Sequence, residues 1–294
     1  MSRVVEVGPD LLRSKPLPRH RQGDDKEGRG RVLVVGGDVD LPGSVILCGI
    51  AALSAGAGKL QIATCESTAR GVAVAVPECR TFRLPETPGG AVAPEAAEGL
   101  KPHVAACSAL VLGPGLMDSR AAPALTRALL EGLDHPAVLD AGALEGLADR
   151  REALARRRGL TVITPHAGEM AACLGLDLDE VEADPLTVAR RAAEGLHSVV
   201  ALKGSCTRIV APGGEAWESP HGDIGLGTSG SGDTLAGIIG GLMARGADPV
   251  TATLWGVWVH AEAGERLARL RGPLGFLARE IPGQVPAILA ELSA

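Results

Sequence analysis

A glycine-rich segment in the last third of the chain carries the clearest indication of chemistry. It reads GLGTSGSGDTLAGIIGGLMA over residues 225–244, and Gly230, Ser231 and Gly232 directly precede an apolar stretch. The first N–H groups of a helix have no partner within the helix, and glycine lets an anion approach them closely, so this pattern predicts a phosphate-binding anion hole. Asp233 follows at once. A carboxylate has the wrong charge to hold phosphate there, but it can take a proton from an attacking hydroxyl.

Two other interpretations of this segment are open. Asp233 could simply cap the helix, although a capping box would need Glu or Gln at position 236, which is Ala236. The glycines of residues 225–230 also match the G-x-G-x-x-G spacing of dinucleotide-binding loops. Residues 219–224, however, do not form the hydrophobic strand that must precede such a loop, which disfavours that interpretation.

His166 and Asp140 each follow a predicted strand, where open α/β sheets bind their ligands. Thr164 and Pro165 fit the N-cap and first position of the next helix, which would place His166 in its first turn. Asp140 could hold Mg²⁺ through water, or cap the turn over residues 142–144. A structural or solvent-facing role is the alternative for His166.

Two tight turns supply further candidates. The segment LKGSCT (202–207) is predicted as a strand, a turn and a returning strand, with Lys203 at the tip. The segment VLGPG (111–115) ends in a Gly-Pro-Gly turn, and a ligand could lie against the backbone at Gly115. A solvated lysine and an ordinary turn are the alternatives.

The elements that must position these residues alternate along the chain. Strands are predicted at 31–37, 59–65, 108–115, 137–142, 160–164 and 198–204, and long helices at 44–57, 234–246 and 251–270. Near-continuous hydrophobic strands separated by helices indicate a mostly parallel sheet covered on both faces, an α/β three-layer sandwich. Residues 206–212 and 215–219 have no helix between them, so they predict an antiparallel meander on the sheet edge. The Pro- and Arg-rich residues 1–30 are predicted as a surface arm, and residues 31–294 as a single domain.

Composition excludes several classes of protein. The 294 residues include 29 Lys and Arg against 35 Asp and Glu, a formal net charge of −6, and three Trp, two Phe and no Tyr. With no basic run and few aromatic side chains, a nucleic-acid-binding surface is not expected. The uncharged stretch 41–58 contains one proline and four glycines, which favours a buried helix over a membrane span. No signal peptide is recognisable, and the six cysteines lack any C-x-x-C spacing. A cytoplasmic protein is expected.

Taken together and in order, these segments resemble the ADP-dependent NAD(P)H-hydrate dehydratases, a branch of the ribokinase-like superfamily. The pieces that carry the resemblance are VLVVGGDVDLPGSVILCGIAALSAGAGKLQIAT (32–64), LGPGL (112–116), VLDAGAL (138–144), TPHAGE (164–169), LKGSCT (202–207) and GLGTSGSGDTLAGIIGGL (225–242). The combination of TPHxGE, a Lys-Gly hairpin and GSGD is specific to this family. The epimerase domain that often precedes it is not expected here, which implies dehydratase activity alone.

The resemblance implies a reaction, its co-substrates and its site residues. NAD(P)H hydrated at C6 of the nicotinamide ring would be phosphorylated on that hydroxyl by ADP, or by ATP in some relatives, and loss of phosphate would restore NAD(P)H, with AMP as the other product. Mg²⁺ is implied as the phosphate counter-charge. Asp233 matches the catalytic base, and Gly230, Ser231 and Gly232 match the anion hole. The matched contacts to hydrated substrate are Ser44, Gly115, His166 and Asp233, and those to the adenine nucleotide are Lys203, Gly204, Ser205, Cys206, Thr207 and Gly232.

Three positions depart from the family pattern, and two other functions remain open. Ser44 stands where alanine is usual, and Gly142 replaces the second aspartate of LDADAL. Ser229 replaces another small residue of the family pattern. A ribokinase-like kinase for a vitamin or sugar hydroxyl is the runner-up, and a catalytically silent nucleotide-binding protein is the alternative from another class. The resemblance also suggests a homo-tetramer, with a possible separate epimerase as functional partner. Trp255 and Trp258 could supply an apolar contact between subunits, or simply be buried in the core.

Overall fold

The protein is built around one ten-stranded β-sheet. Its structure, a computed structural model, describes residues 3–20, 23 and 25–293. The strands are Val4–Glu6 (β1), Arg31–Val35 (β2), Lys59–Cys65 (β3), Cys79–Leu84 (β4), Ala109–Leu112 (β5), Ala137–Leu139 (β6), Thr161–Ile163 (β7), Val199–Leu202 (β8), Thr207–Val210 (β9) and Ala216–Ser219 (β10). Their order across the sheet is β1-β10-β9-β8-β7-β6-β5-β2-β3-β4.

Seven strands, from β4 across to β8, run parallel to one another. Strand β9 pairs antiparallel with both β8 and β10, which confirms the predicted meander. The meander is not the outermost part of the sheet, because β1 pairs in parallel with β10 beyond it. The predicted fold class, a mostly parallel sheet with an antiparallel portion near one edge, is confirmed.

Helices cover both faces of the sheet. They are Pro9–Ser14 (α1), Gly43–Ser54 (α2), Glu66–Ala75 (α3), Ala96–Ala105 (α4), Ala121–Leu130 (α5), Arg151–Arg156 (α6), Ala167–Leu174 (α7), Leu178–Ala183 (α8), Pro185–Leu196 (α9), Ser231–Ala244 (α10), Pro249–Arg271 (α11) and Val285–Ser293 (α12). Short 3₁₀ turns lie at Ala141–Leu144, Leu147–Arg150, Ile224–Leu226 and Ala278–Gln284.

Strand β2 shows how the sequence divides the core into two layers. Val32 and Val34 pack on one face with α2, α10, α11 and α12, whereas Leu33 and Val35 pack on the other with α4, α5, α7 and α9. Successive side chains of a strand point to opposite faces, so a continuous run of apolar residues fills both layers at once. Burial on both faces places the ligand-binding surface at the ends of the strands.

The prediction of a surface arm for residues 1–30 is wrong for much of that segment. Residues 1, 2, 21, 22 and 24 lie outside the described residues, but β1 joins the sheet, and the Val7 N–H donates to the Glu218 carbonyl at 2.8 Å. Leu12 of α1 is fully buried. A three-residue strand is too short to show a periodic pattern, and its pairing partner, β10, lies far away in the sequence.

Helix α10 lies against α2 at a distance that only small residues permit. A Cβ atom at Gly237 would overlap the carbonyl oxygen of Cys48, and one at Gly241 would overlap that of Ala52. This close approach fixes the start of α10 against the start of α2, and it therefore determines the position of the predicted anion hole.

Three further predictions can be compared with the structure. All six cysteines are free, and four of them are buried. Within the described ranges, no helix is both long and apolar enough to cross a bilayer. Trp255 is 1% exposed and donates from its indole Nε1 to the Lys15 carbonyl at 2.7 Å, so it belongs to the core rather than to a contact surface.

Candidate active site

The start of α10 is formed by a glycine in a left-handed conformation. Gly230 is the N-cap with φ of 87°, and the helix begins at Ser231, which makes Asp233 its third residue. The interpretation of Asp233 as the helix cap is therefore wrong, because its carboxylate sits inside the first turn and Gly230 occupies the cap. A left-handed backbone is strained for any residue with a Cβ atom. A Cβ atom at position 230 would also overlap the Leu47 side chain.

The N–H groups at this helix start are not all equivalent. The Ser231 N–H donates to the Thr228 carbonyl at 3.2 Å. In the part of the chain that the structure describes, no group accepts a hydrogen bond from the N–H groups of Gly232 or Asp233. The two free donors at the positive end of this 14-residue helix belong to Gly232 and Asp233, where an anion could bind, whereas the sequence predicted an anion hole formed by Gly230, Ser231 and Gly232.

The Asp233 carboxyl lies in a setting that favours its neutral form. Burial and, after it, the negative charge of Asp140 raise the pKa of Asp233 to about 6, although a hydrogen bond with Ser44 and the positive charge of Lys203 act to lower it. A carboxylate with a pKa near the operating pH is suited to accept a proton in one step and release it in the next. Ser44, at the start of α2, thus favours the ionised form of the base.

Lys203 links two carboxylates at the carboxyl edge of the sheet. Its Nζ atom lies 3.1 Å from Oδ1 of Asp140 and 3.5 Å from Oε2 of Glu169. Asp140 also accepts from the Thr164 hydroxyl at 2.8 Å. Burial alone would lower the pKa of Lys203, but the two carboxylates raise it above its ordinary value. Lys203 is therefore a charged, largely buried group rather than a solvated lysine at a hairpin tip.

The same ammonium group reaches the anion-binding surface. A Cβ atom built on Gly232 would lie 3.3 Å from Lys203 Nζ and 3.9 Å from Asp140 Oδ2. Glycine at position 232 leaves this space open between the ammonium and the free N–H groups. The predicted capping role of Asp140 is wrong, since its side chain makes no hydrogen bond to the 3₁₀ turn that follows it.

His166 is the N-cap of α7, which corrects the prediction that Thr164 and Pro165 begin that helix. Its Nδ1 atom accepts from the N–H groups of Gly168 and Glu169 at 3.1 and 3.2 Å, and the Glu169 carboxylate accepts from the His166 N–H at 2.7 Å. Because Nδ1 accepts, the proton of the neutral ring is on Nε2, and the side chain is 61% exposed. A histidine capping box is unusual, so the sequence pattern pointed to Thr164 instead.

Gly115 and Ser44 meet across a narrow gap. A Cβ atom at Gly115, where φ is 73°, would lie 3.0 Å from Ser44 Cβ and 3.1 Å from Gly37 Cα. These residues follow β5 and β2, which are neighbours in the sheet. The structure thus places Ser44, Gly115 and Asp233 in one region of the sheet edge, and both Lys203 and Asp140 act electrostatically on Asp233.

The remaining predicted nucleotide contacts lie on the turn between β8 and β9. Gly204, Ser205 and Cys206 form that turn and Thr207 begins β9, with the β8 end anchored by the Lys203 N–H donating to the Pro165 carbonyl at 2.8 Å. Sequence reasoning missed Glu169 and His260, which contact Lys203 and Ser231 respectively. Glu169 could have been found, because it stands three residues after His166 as capping-box partners do.

The fold and this site define a class of protein. A parallel α/β sheet carries a carboxylate, an ammonium and a helix N-terminus at its carboxyl edge. A crystal structure of a ribokinase-like superfamily protein from Enterococcus faecalis has the same fold, with a TM-score of 0.81 at 24% identity over 99% of this chain and 96% of that one. The chain belongs to the NAD(P)H-hydrate dehydratase family, whose model matches residues 32–286.

Individual relatives agree with this assignment. An ADP-dependent (S)-NAD(P)H-hydrate dehydratase from Xanthomonas campestris is 48% identical over 99% of this chain and 98% of its own length. The crystal structure of an ADP/ATP-dependent NAD(P)H-hydrate dehydratase from Bacillus subtilis, co-crystallised with ATP and Mg²⁺, has a TM-score of 0.82 at 27% identity, covering 98% of this chain and 99% of that one. The chain spans about half the length of the bifunctional NAD(P)H-hydrate repair enzymes that it also matches.

Proposed function

We propose that this protein is an ADP-dependent dehydratase that returns (6S)-NAD(P)H hydrate to NAD(P)H, with AMP and phosphate as the other products. The observation that carries the proposal is the Asp233 carboxyl, held with a raised pKa at the start of α10 beside two free N–H groups. Transfer of a phosphoryl group to a hydroxyl requires a base for the hydroxyl proton and, next to it, a surface that binds the phosphate. Family membership supplies the substrate class.

In the first half of the reaction the substrate hydroxyl is phosphorylated. The C6 oxygen attacks the β-phosphorus of ADP, its proton passes to the Asp233 carboxylate, and the bond from the β-phosphorus to the bridging oxygen breaks, which releases AMP. The N–H groups of Gly232 and Asp233, together with the Lys203 ammonium, face the charge on the transferred group. Ser44, Gly115 and His166 would contact the hydrated nucleotide.

In the second half the phosphate leaves. Hydroxide is a poor leaving group at neutral pH and phosphate is a good one, so the ring nitrogen lone pair expels phosphate as the C6–O bond breaks. Loss of a proton from C5 then restores the double bond. The sum is one hydrate and one ADP converted to one NAD(P)H, one AMP, one phosphate and one proton.

Lys203, Gly204, Ser205, Cys206, Thr207 and Gly232 are the residues we assign to the adenine nucleotide. Residues 203–207 form the turn between β8 and β9, and the Lys203 ammonium reaches from this turn to Gly232 at the start of α10. A nucleotide bound along the turn would therefore bring its terminal phosphate to the free N–H groups.

Asp140 and Glu169 fit a magnesium ion bound together with the nucleotide. Both offer carboxylate oxygens, the ligands that Mg²⁺ prefers alongside phosphate and water; Asp140 faces the space above Gly232, and Glu169 lies on the Lys203 ammonium beside it. When bound, Mg²⁺ would offset the negative charge of the phosphates. The same two carboxylates also hold Lys203, which supplies positive charge from the chain itself.

The proposal is tested by incubating the protein with (6S)-NADH hydrate, ADP and Mg²⁺ and following the absorbance of reduced nicotinamide. Recovery of that absorbance with one AMP formed per NADH is the expected result, and an ATP arm reports nucleotide preference. No recovery with either nucleotide would contradict the proposal. A stable phosphoester formed on a vitamin or sugar hydroxyl, without NADH, would favour the small-molecule kinase.

We further propose a homo-tetramer, which works beside a separate epimerase that supplies the S epimer of the hydrate. Trp255 is in the core, so any contact between subunits must use other residues. Sedimentation showing only a 29.9 kDa species would exclude the tetramer.

A further inference from the structure

One histidine of α11 lies behind the anion-binding surface. The Nε2 atom of His260 is 3.0 Å from the hydroxyl oxygen of Ser231 and 3.0 Å from the Ser231 carbonyl oxygen. His260 is 9% exposed and Ser231 is 6% exposed. The two residues belong to different helices, so this contact ties α11 to the first turn of α10.

The carbonyl contact settles which atom of His260 carries a proton. A carbonyl oxygen can only accept a hydrogen bond, so Nε2 must be the donor. Burial lowers the pKa of His260 to about 4, and the ring is therefore neutral at pH 7, with its single proton on Nε2. That N–H is shared between the carbonyl and the hydroxyl oxygen of Ser231.

The Ser231 O–H consequently has no hydrogen-bond acceptor among the described residues. Since Nε2 is protonated, it cannot accept from the hydroxyl, and no other described group forms a hydrogen bond with the Ser231 hydroxyl. The Ser231 backbone N–H is already bonded to Thr228, and the carbonyl also accepts from the Thr234 hydroxyl at 2.7 Å. Every polar group of Ser231 is thus held by the protein except one buried O–H at the start of α10.

We propose that His260 is a positioning residue that holds the Ser231 hydroxyl as a third donor to the transferred phosphoryl group, next to the N–H groups of Gly232 and Asp233. This inference rests on the proposed function and adds a side-chain donor to a surface that the sequence predicted to be backbone alone. A buried hydroxyl whose hydrogen lacks an acceptor is unfavourable in the free protein, and a phosphate oxygen would satisfy it.

Two substitutions at position 260 separate this role from simple packing. His260→Gln keeps an N–H donor near the position of Nε2, whereas His260→Leu keeps the volume and removes the donor. Removing one donor to a developing negative charge typically lowers kcat by about 10- to 1,000-fold. We expect His260→Leu and Ser231→Ala each to lower kcat by at least about 10-fold with little change in KM for the hydrate, and His260→Gln to recover most of the loss.

The double variant Ser231→Ala/His260→Leu makes the dependence explicit. If His260 acts through the Ser231 hydroxyl, adding His260→Leu to Ser231→Ala lowers kcat by less than about a further 3-fold, because the hydroxyl that His260 positions is already absent. The proposal would be overturned if kcat of the double variant fell by the product of the two single reductions. It would also be overturned if Ser231→Ala kept the wild-type kcat. Thr253→Val is the matched control, since this buried hydroxyl on the same helix bonds only to the Pro249 carbonyl.

A binding measurement keeps this test separate from the proposed function. ADP affinity of the same variants is measured by calorimetry, and a weaker affinity in Ser231→Ala and His260→Leu, restored in His260→Gln, supports the third donor. Wild-type protein that binds ADP in this pattern but restores no NADH would contradict the dehydratase and leave the positioning role intact. Active wild-type protein whose position-260 variants bind ADP and turn over normally would contradict the positioning role alone.

Discussion

The Lys203 ammonium lies 3.1 Å from the Asp140 carboxylate, and this ion pair joins the ends of two strands, β6 and β8, on either side of β7. The Asp140 side chain is 4% exposed and that of Lys203 is 21% exposed. Charges so sheltered from water interact more strongly than surface pairs. Because Asp140 also raises the pKa of Asp233 and Lys203 lowers it, the pair sets the electrostatics of the base.

Asp233→Asn should leave a folded protein that binds ADP but turns over about 10² to 10⁴ times more slowly. The amide is nearly isosteric but cannot accept the hydroxyl proton. The raised pKa of Asp233 means that its ionised form costs stability in the folded state above about pH 6, so Tm at pH 7 should be no lower in the variant. Tm, ADP affinity and turnover are measured on one preparation. Near-normal turnover would remove Asp233 from the chemistry.

The pH profile of kcat should rise with pH through about 6, because Asp233 must be ionised to accept a proton and its pKa is about 6. Ser44→Ala removes a hydrogen bond that lowers this pKa, so the midpoint should move to higher pH. The nucleotide phosphate titrates equally with both proteins, and the difference between the two profiles therefore reports on Asp233. Ser54→Ala, at the other end of α2, is the control, and superimposable profiles for Ser44→Ala and wild type would refute the role of Ser44.

Lys203→Ala should weaken ADP binding more than binding of the hydrate. A charge-assisted contact to phosphate is worth about 1–3 kcal/mol, or roughly 5- to 150-fold in affinity. The midpoint of the acid limb of the kcat–pH profile should also move to higher pH, since the Lys203 charge lowers the pKa of Asp233. Calorimetry checks the first expectation, with the exposed Lys101→Ala as control. Unchanged ADP affinity would show that Lys203 serves only to hold Asp140 and Glu169.

His166→Ala and His166→Asn should separate capping from substrate contact. Alanine removes the N-cap of α7 and should cost about 0.5–2 kcal/mol of stability, whereas asparagine is a good N-cap and should restore most of it. Neither variant keeps the Nε2 N–H of this exposed ring, so KM for the hydrate should rise in both. Thermal unfolding and steady-state kinetics provide the two measurements. A KM that recovers together with Tm in His166→Asn would mean that His166 only caps the helix.

Gly237→Ala should destabilise the protein by about 1–3 kcal/mol, because the added methyl group would overlap the Cys48 carbonyl and force α10 away from α2. Denaturant unfolding measures the effect. Gly71→Ala is a matched control in α3, where nothing lies within 4 Å of the added atom, and it should stabilise by about 0.5–1 kcal/mol. Equal effects at both positions would contradict the account of α2–α10 packing.

Local sequence determined most of the strands and the anion-binding segment. The strand predicted at 59–65 is observed as Lys59–Cys65, and the helix that begins near Asp233 starts at Ser231. These features are local: a run of apolar residues buried on both faces, or glycine before a helix, has its physical cause within a few neighbouring residues. The role predicted for Asp233 depends on the same local pattern.

Only the tertiary structure decided what surrounds that base. Strand β1, the contact of His260 with Ser231 and the pairing of Lys203 with both Asp140 and Glu169 join residues that are far apart in the chain. The pKa of Asp233 and the tautomer of His260 follow from burial and from charges on other elements, which no local pattern encodes. The sequence could therefore name the base, whereas its protonation and its third candidate donor depended on how the strand ends and helices α2, α10 and α11 come together.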